Sequence, residues 1–257
     1  MELEKFSSAG SNLSQENNQY NKQAEKYNSL REGLHQKYVK RPSIERIFDV
    51  QDITNNKILD LACGEGENSR FLSRKGARVT GLDLSSKLVE IAKQKNEKYD
   101  MNVEYVIGDA FTFANINEQY DFILGVYFLN YAESKEQLKI FFAKAKKHLK
   151  PKGRMVFLVP DYDFREYYKK YGIESFRPKN EGDILRFNIY DDDGNCKLKL
   201  QCVYWQIETY KQVFQSVGLN YKEHPLVVSK EGIEKFGSEF WDELKENPIF
   251  RIFEVYE

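Results

Sequence analysis

Apolar residues along this chain come in short dense runs separated by longer amphipathic stretches. Residues 58–61, 78–82, 103–107, 122–126 and 155–159 are runs rich in branched side chains, the pattern of strands buried on both faces. The stretches at 68–75, 85–95 and 134–149 carry apolar residues at three- and four-residue steps and predict helices. In the last of them Leu138, Phe141, Phe142, Ala145 and Leu149 form one stripe, and Ser134 with Gln137 stands at its start as a capping box. Strands fed by helices imply a parallel sheet covered on both faces, an α/β domain.

The pattern changes after residue 159. Residues 184–190 and 197–204 flank Asp191-Asp192-Asp193-Gly194-Asn195 and predict a β-hairpin. Residues 208–217 read as a helix that stops at Gly218, and 220–228 and 249–256 read as strands that complete the sheet. Residues 1–19 are rich in Ser, Asn and Gln, have no period and read as a flexible tail. Beyond them Tyr20, Ala24, Tyr27 and Leu30 share a helical face, and Arg41-Pro42 opens a second helix, because proline is best placed in a first turn.

Charge and composition narrow the partners. The 257 residues carry 39 basic and 40 acidic side chains, a net charge of -1, which argues against a nucleic-acid backbone as main partner. No apolar run reaches the ~20 residues of a membrane span, and Met1-Glu2-Leu3-Glu4-Lys5 lacks the order of a secretory signal. Three cysteines without a CxxC pattern suggest reduced thiols and a cytoplasmic location. With only His35, His148 and His224 as imidazoles, no metal site is expected.

The chemistry-bearing residues sit where strands end. Asp60-Leu61-Ala62-Cys63-Gly64-Glu65-Gly66 follows the first strand, and such a turn lets the backbone approach a ligand. A dinucleotide fingerprint counted from Gly64 requires a third glycine where Ser69 stands, so that reading fails. Asp83 ends the second strand, 19 positions after Gly64, where a carboxylate accepts both hydroxyls of a ribose. Leu84 follows it. Gly108-Asp109-Ala110 follows the third strand, and Gly125-Val126-Tyr127-Phe128-Leu129-Asn130-Tyr131 ends the fourth.

This series of turns resembles the class I S-adenosylmethionine-dependent methyltransferases. The resemblance extends through Arg41-Pro42-Ser43-Ile44, Phe128-Leu129-Asn130-Tyr131-Ala132, Tyr204-Trp205, Gly232-Ile233-Glu234-Lys235-Phe236-Gly237 and Glu239-Phe240-Trp241 to toxoflavin synthase and its relatives. It implies a Rossmann-like sheet with an N-terminal helical lid and an inserted hairpin. It also implies S-adenosylmethionine as cofactor, S-adenosylhomocysteine as product, and N-methylation of a small nitrogen heterocycle. By resemblance the cofactor residues are Tyr20, Tyr27, Arg41, Asp60, Ala62, Gly64, Gly66, Asp83, Leu84, Asp109, Ala110 and Tyr127. Candidates facing the acceptor are Tyr131, Tyr162 and Trp205. No catalytic residue is assigned.

The expected plan is a tail over 1–19 and one domain over 20–257. That domain divides into lid helices (20–50), a cofactor-binding core (57–160), a substrate-side insertion (161–205) and sheet completion (206–257). A small-molecule acceptor and a monomer or homodimer are expected. A non-catalytic cofactor-binding module, or a methyltransferase acting on RNA or protein, stays open as an alternative.

Overall fold

Five parallel strands form the bulk of the sheet, and each is an apolar run too short and too branched for a helix. The computed structural model describes residues 20–21, 33–161, 166–176, 178–191 and 193–257. Its parallel strands are β1 (Lys57–Leu61), β2 (Arg78–Asp83), β3 (Val103–Ile107), β4 (Tyr120–Val126) and β5 (Leu149–Pro160), with β3 at the sheet's edge. Late in the chain β9 (Asn220–His224) and β10 (Phe250–Tyr256) complete a seven-stranded sheet of order β3-β2-β1-β4-β5-β10-β9. β10 runs antiparallel to both of its neighbours. The chain steps outward from β1 to β3 and then returns to the other side of β1 with β4. That reversal opens a crevice at the carboxyl ends of β1 and β4.

Side chains alternate between two cores. Ile58, Val156 and Leu158 face one cluster, while Leu59, Leu61, Met155, Phe157 and Val159 face the other. The first face is covered by α1 (Arg41–Asp49), α2 (Glu67–Arg74) and α3 (Ser86–Lys98), through Ile44, Phe48, Leu72 and Val89. The second is covered by α4 (Lys135–Lys147) and α5 (Ile207–Ser216), through Phe141, Phe142 and Phe214. Each such ring contributes roughly 1.5–3 kcal/mol by leaving water.

The helix ends follow the sequence closely. Pro42 sits in the first turn of α1, which continues from a π-helical segment at Gln36–Lys40. Ser134 Oγ accepts the Gln137 N–H at 3.1 Å, and Gln137 Oε1 accepts the Glu133 N–H at 2.6 Å. Gly218 takes the left-handed conformation after α5, with φ 70°.

Three features depart from expectation. The 220–228 strand stops at His224, because Pro225 has no N–H to continue the ladder. The hairpin gains a third strand, so β6 (Ile173–Phe176), β7 (Ile184–Tyr190) and β8 (Cys196–Val203) form a separate antiparallel sheet. Two short helices, α6 (Lys230–Phe236) and α7 (Asp242–Glu246), occupy a region where the apolar pattern predicts no element. They exist because Trp241, fully buried, packs against Tyr38, Tyr171, Phe236 and Phe240, and donates its indole N–H to Gly232 O at 3.1 Å. A Cβ on Gly232 would stand 2.9 Å from Tyr38 Cβ, so glycine is what lets α6 approach this closely.

Candidate functional site

The turn after β1 is built from left-handed residues. Ala62, Gly64 and Gly66 have φ of 52°, 58° and 80° and deliver the chain into α2 within a few residues. For alanine that conformation costs about 1–2 kcal/mol, a cost characteristic of functional turns. At Gly66 a Cβ would lie 2.0 Å from Tyr105 Oη, because the Tyr105 ring from β3 lies directly under the loop. Burial pushes the Tyr105 phenol well above its ordinary range, so it stays neutral.

Two carboxylates brace this loop from behind. Glu65 is buried and pairs with Arg70 of α2 and Lys95 of α3, each at 2.8 Å. Asp60 is also buried and accepts the Ser69 hydroxyl at 2.5 Å, which ties β1 to α2. The residue that breaks the dinucleotide fingerprint is thus the one that anchors the acid ahead of the turn.

Asp83 joins two loops. Its Oδ2 accepts the Gly64 N–H at 2.8 Å and its Oδ1 accepts the Ser85 N–H at 2.8 Å. Ser85, rather than Asp83, caps α3, its Oγ accepting the Leu88 N–H at 3.2 Å. Beside the buried carboxylate Leu84 is 45% exposed, an apolar surface next to an acid at a strand tip. At the tip of β3, Asp109 Oδ1 accepts the Phe111 N–H at 2.9 Å, and Ala110 is buried. Among the described residues no other partner meets the Asp109 carboxylate.

At the tip of β4, Tyr127 is again left-handed, with φ 55°, while its N–H still reaches Leu158 O at 2.9 Å. Tyr131 follows on a 3-10 turn (Leu129–Tyr131) and shares a short hydrogen bond with the Tyr20 hydroxyl. The two rings meet edge to face at 6.0 Å, and Tyr20 also packs on Leu198 and Leu200 of β8. The small sheet is thereby drawn toward the carboxyl end of β4.

Other candidates are placed differently. Arg41 pairs with Glu67 in the first turn of α2, at 2.8 Å through Nε and 2.5 Å through its terminal nitrogen. Trp205 is buried in the second core and donates to Ala132 O at 3.0 Å, so it buttresses the turn that carries Tyr131. Tyr27 and Tyr162 lie outside the described residues. Among the described residues no group of three His, Cys, Asp or Glu side chains could hold a metal ion, and no helix is long and apolar enough to cross a membrane. Among the described residues Cys63, Cys196 and Cys202 form no disulfide.

Residues 58–153, from β1 into β5, match a family model described as a methyltransferase domain. Over that stretch the chain is similar to a methyltransferase domain. It is 36% identical over 142 residues to demethylmenaquinone methyltransferase of Thermotoga maritima, covering 52% of this chain and 57% of that protein. It is 28% identical over 134 residues to a ubiquinone biosynthesis O-methyltransferase of Coxiella burnetii, covering 51% and 56%. The chain thus spans little more than half the length of the curated relatives it matches. Among solved structures, a DhpI-SAM-HEP complex superposes with a TM-score of 0.65 at 18% identity, covering 95% of this chain and 97% of that one. An S-adenosylmethionine-dependent methyltransferase from Clostridium acetobutylicum gives 0.59 at 20% identity, covering 84% and 89%. At these identities the likeness is one of fold, and it extends beyond the residues that the family model matches.

The methyltransferase domain has a donor set suited to an adenosyl ligand. Asp83 is a fixed anion at the β2 tip, Leu84 offers an apolar face beside it, and the glycine turn opens a helix whose first residue has no side-chain cap. Glu65, Ser69, Arg70, Lys95 and Tyr105, which shape the loop from behind, escape a reading of the sequence alone. Their only sequence signal is position, since each lies within the turn or on a helix or strand that faces it.

Proposed function

We propose that this protein transfers a methyl group from S-adenosylmethionine to a small, flat organic acceptor, with a heterocycle nitrogen as the favoured atom. The observation that carries the reading is Asp83, one buried carboxylate that joins the glycine turn to the β2 tip through two backbone N–H groups. S-adenosylmethionine supplies a methyl group already activated on a sulfonium. What the chain must do is hold, orient and exclude water.

In this reading Asp83 takes the ribose hydroxyls. Leu84 and Ala110 cover the adenine, and Asp109 meets its exocyclic amine. Gly64 and Gly66 leave room for the methionine part, with Tyr127 above the β4 tip. Transfer then needs an acceptor lone pair in line with the departing S–CH3 bond, and such positioning supplies roughly 7–11 kcal/mol in favourable cases. Tyr131 would then face the acceptor, and Tyr20, in contact with it, would bring a second hydroxyl and ring.

A ring-shaped acceptor is supported from two sides. The names of two relatives concern menaquinone and ubiquinone. The sequence resemblance to toxoflavin synthase-like enzymes favours nitrogen over oxygen or carbon. The test is incubation with methyl-labelled cofactor and a panel of N–H heteroaromatics and quinols, followed by location of the label. Label on ring nitrogen supports the assignment; label confined to quinol oxygen or carbon contradicts it.

A further inference from the structure

Two adjacent residues cross the mouth of the cleft. Asn21 Oδ1 accepts the Ser85 hydroxyl at 2.6 Å and the Lys87 N–H at 3.3 Å, at the start of α3. Tyr20 beside it bonds to Tyr131 after β4. In the sheet β1 lies between β2 and β4. The two anchor points are therefore two strand spacings apart, about 10 Å. The Tyr20–Asn21 step bridges that distance over the glycine turn of β1.

The contacts form a chain of control. A side-chain oxygen at a helix N-terminus is favoured by the unpaired N–H groups there and by the helix dipole. By taking the Ser85 hydroxyl proton, Asn21 leaves the Ser85 lone pairs for the Leu88 N–H, which fixes Ser85 in place. Ser85 in turn presents its N–H to Asp83 Oδ1 at 2.8 Å.

We propose that Asn21 is a positioning residue for the cofactor, holding Asp83 in its binding orientation through Ser85 while Tyr20 ties the same step to the acceptor side. The proposal rests on the reading that Asp83 takes the cofactor ribose. Asn21 itself does not touch the ligand.

Calorimetric titration of the full chain with S-adenosylhomocysteine tests it, with thermal unfolding measured in parallel. Asn21→Ala weakens binding about three- to tenfold, the scale of one hydrogen-bonded contact. Asn21→Asp, whose carboxylate accepts the same two donors, restores binding to within about twofold of the parent. Asn21→Ala has little further effect once Ser85→Ala has removed the hydroxyl, a non-additivity that a merely structural role would not produce. Unchanged affinity in Asn21→Ala, or an equal effect in both backgrounds, overturns the proposal. Asp83→Ala in the same series separates the two readings. If it loses binding while Asn21→Ala does not, only this inference fails; if it binds like the parent, the functional reading itself fails.

Discussion

Asp83 is where the account is most exposed to a single substitution. Asp83 is 8% exposed, and each of its carboxylate oxygens accepts a backbone N–H. If Asp83 takes the ribose as proposed, replacement by alanine removes charge-assisted bonds each worth about 1.5–3 kcal/mol, so S-adenosylhomocysteine binding should weaken at least about tenfold by calorimetry. Unchanged affinity would refute the assignment. Gly66 makes a second residue-scale prediction. Alanine there meets the Tyr105 ring and forces a left-handed conformation, so chemical denaturation of Gly66→Ala should show a loss of roughly 2–4 kcal/mol. A variant as stable as the parent would mean that the loop is not held against Tyr105. The contrast between Asp83 and Asp60 shows what the sequence could reveal. Both are acids at strand ends; spacing makes Asp83 a candidate, and the family resemblance makes Asp60 one. Only packing reveals that Asp60 is turned to Ser69, because the direction of a side chain at a strand end depends on the helix behind it.

At the scale of elements, hydrophobic periodicity revealed the five parallel strands and the helices between them, since both faces of a parallel sheet must be apolar. It missed β6, α6 and α7, whose lengths of four, seven and five residues give a period too few repeats to register. Those elements are held by long-range contacts instead, chiefly the ring cluster around Trp241. One such contact carries a pH signature. His35, beside the Gln36–Lys40 segment, is buried; its Nδ1 bonds to Tyr171 O at 3.0 Å and Gln36 Nε2 meets its other nitrogen at 2.8 Å. Burial pushes its pKa down to about 4 from an ordinary 6.5. Below pH 6.5 the unfolded chain therefore binds a proton that the folded chain refuses. Stability is full above pH 6.5 and falls as pH drops toward 4, by up to roughly 3 kcal/mol. Paired carboxylates such as Glu174, held at about 2 by Lys169 and Tyr190, act in a lower window, below the ordinary carboxylate range. Urea unfolding between pH 7 and 5 should thus show a decline that His35→Gln flattens. An unchanged slope in that variant would mean that His35 is not the titrating group.

At the scale of the whole molecule, the cofactor core is one part of a larger site. The tips of β1 to β4 supply the residues assigned to the cofactor, the N-terminal Tyr20–Asn21 step lies across them, and the three-stranded sheet packs on Tyr20 from the far side. Deleting residues 1–27 should leave the two sheet cores intact, since among the described residues both are built from positions beyond that point, yet abolish methyl transfer. Full activity in the truncated chain would show that this region does not help form the site. The central claim is methyl transfer to a small molecule, and the most direct measurement follows the fate of the methyl group itself. The protein is incubated with methyl-labelled S-adenosylmethionine and a whole-cell extract, and the label is traced by mass spectrometry. The expected result is label in a low-mass compound, lost with Asp83→Ala. Label that stays on the cofactor, or that appears only on RNA or protein, would contradict it.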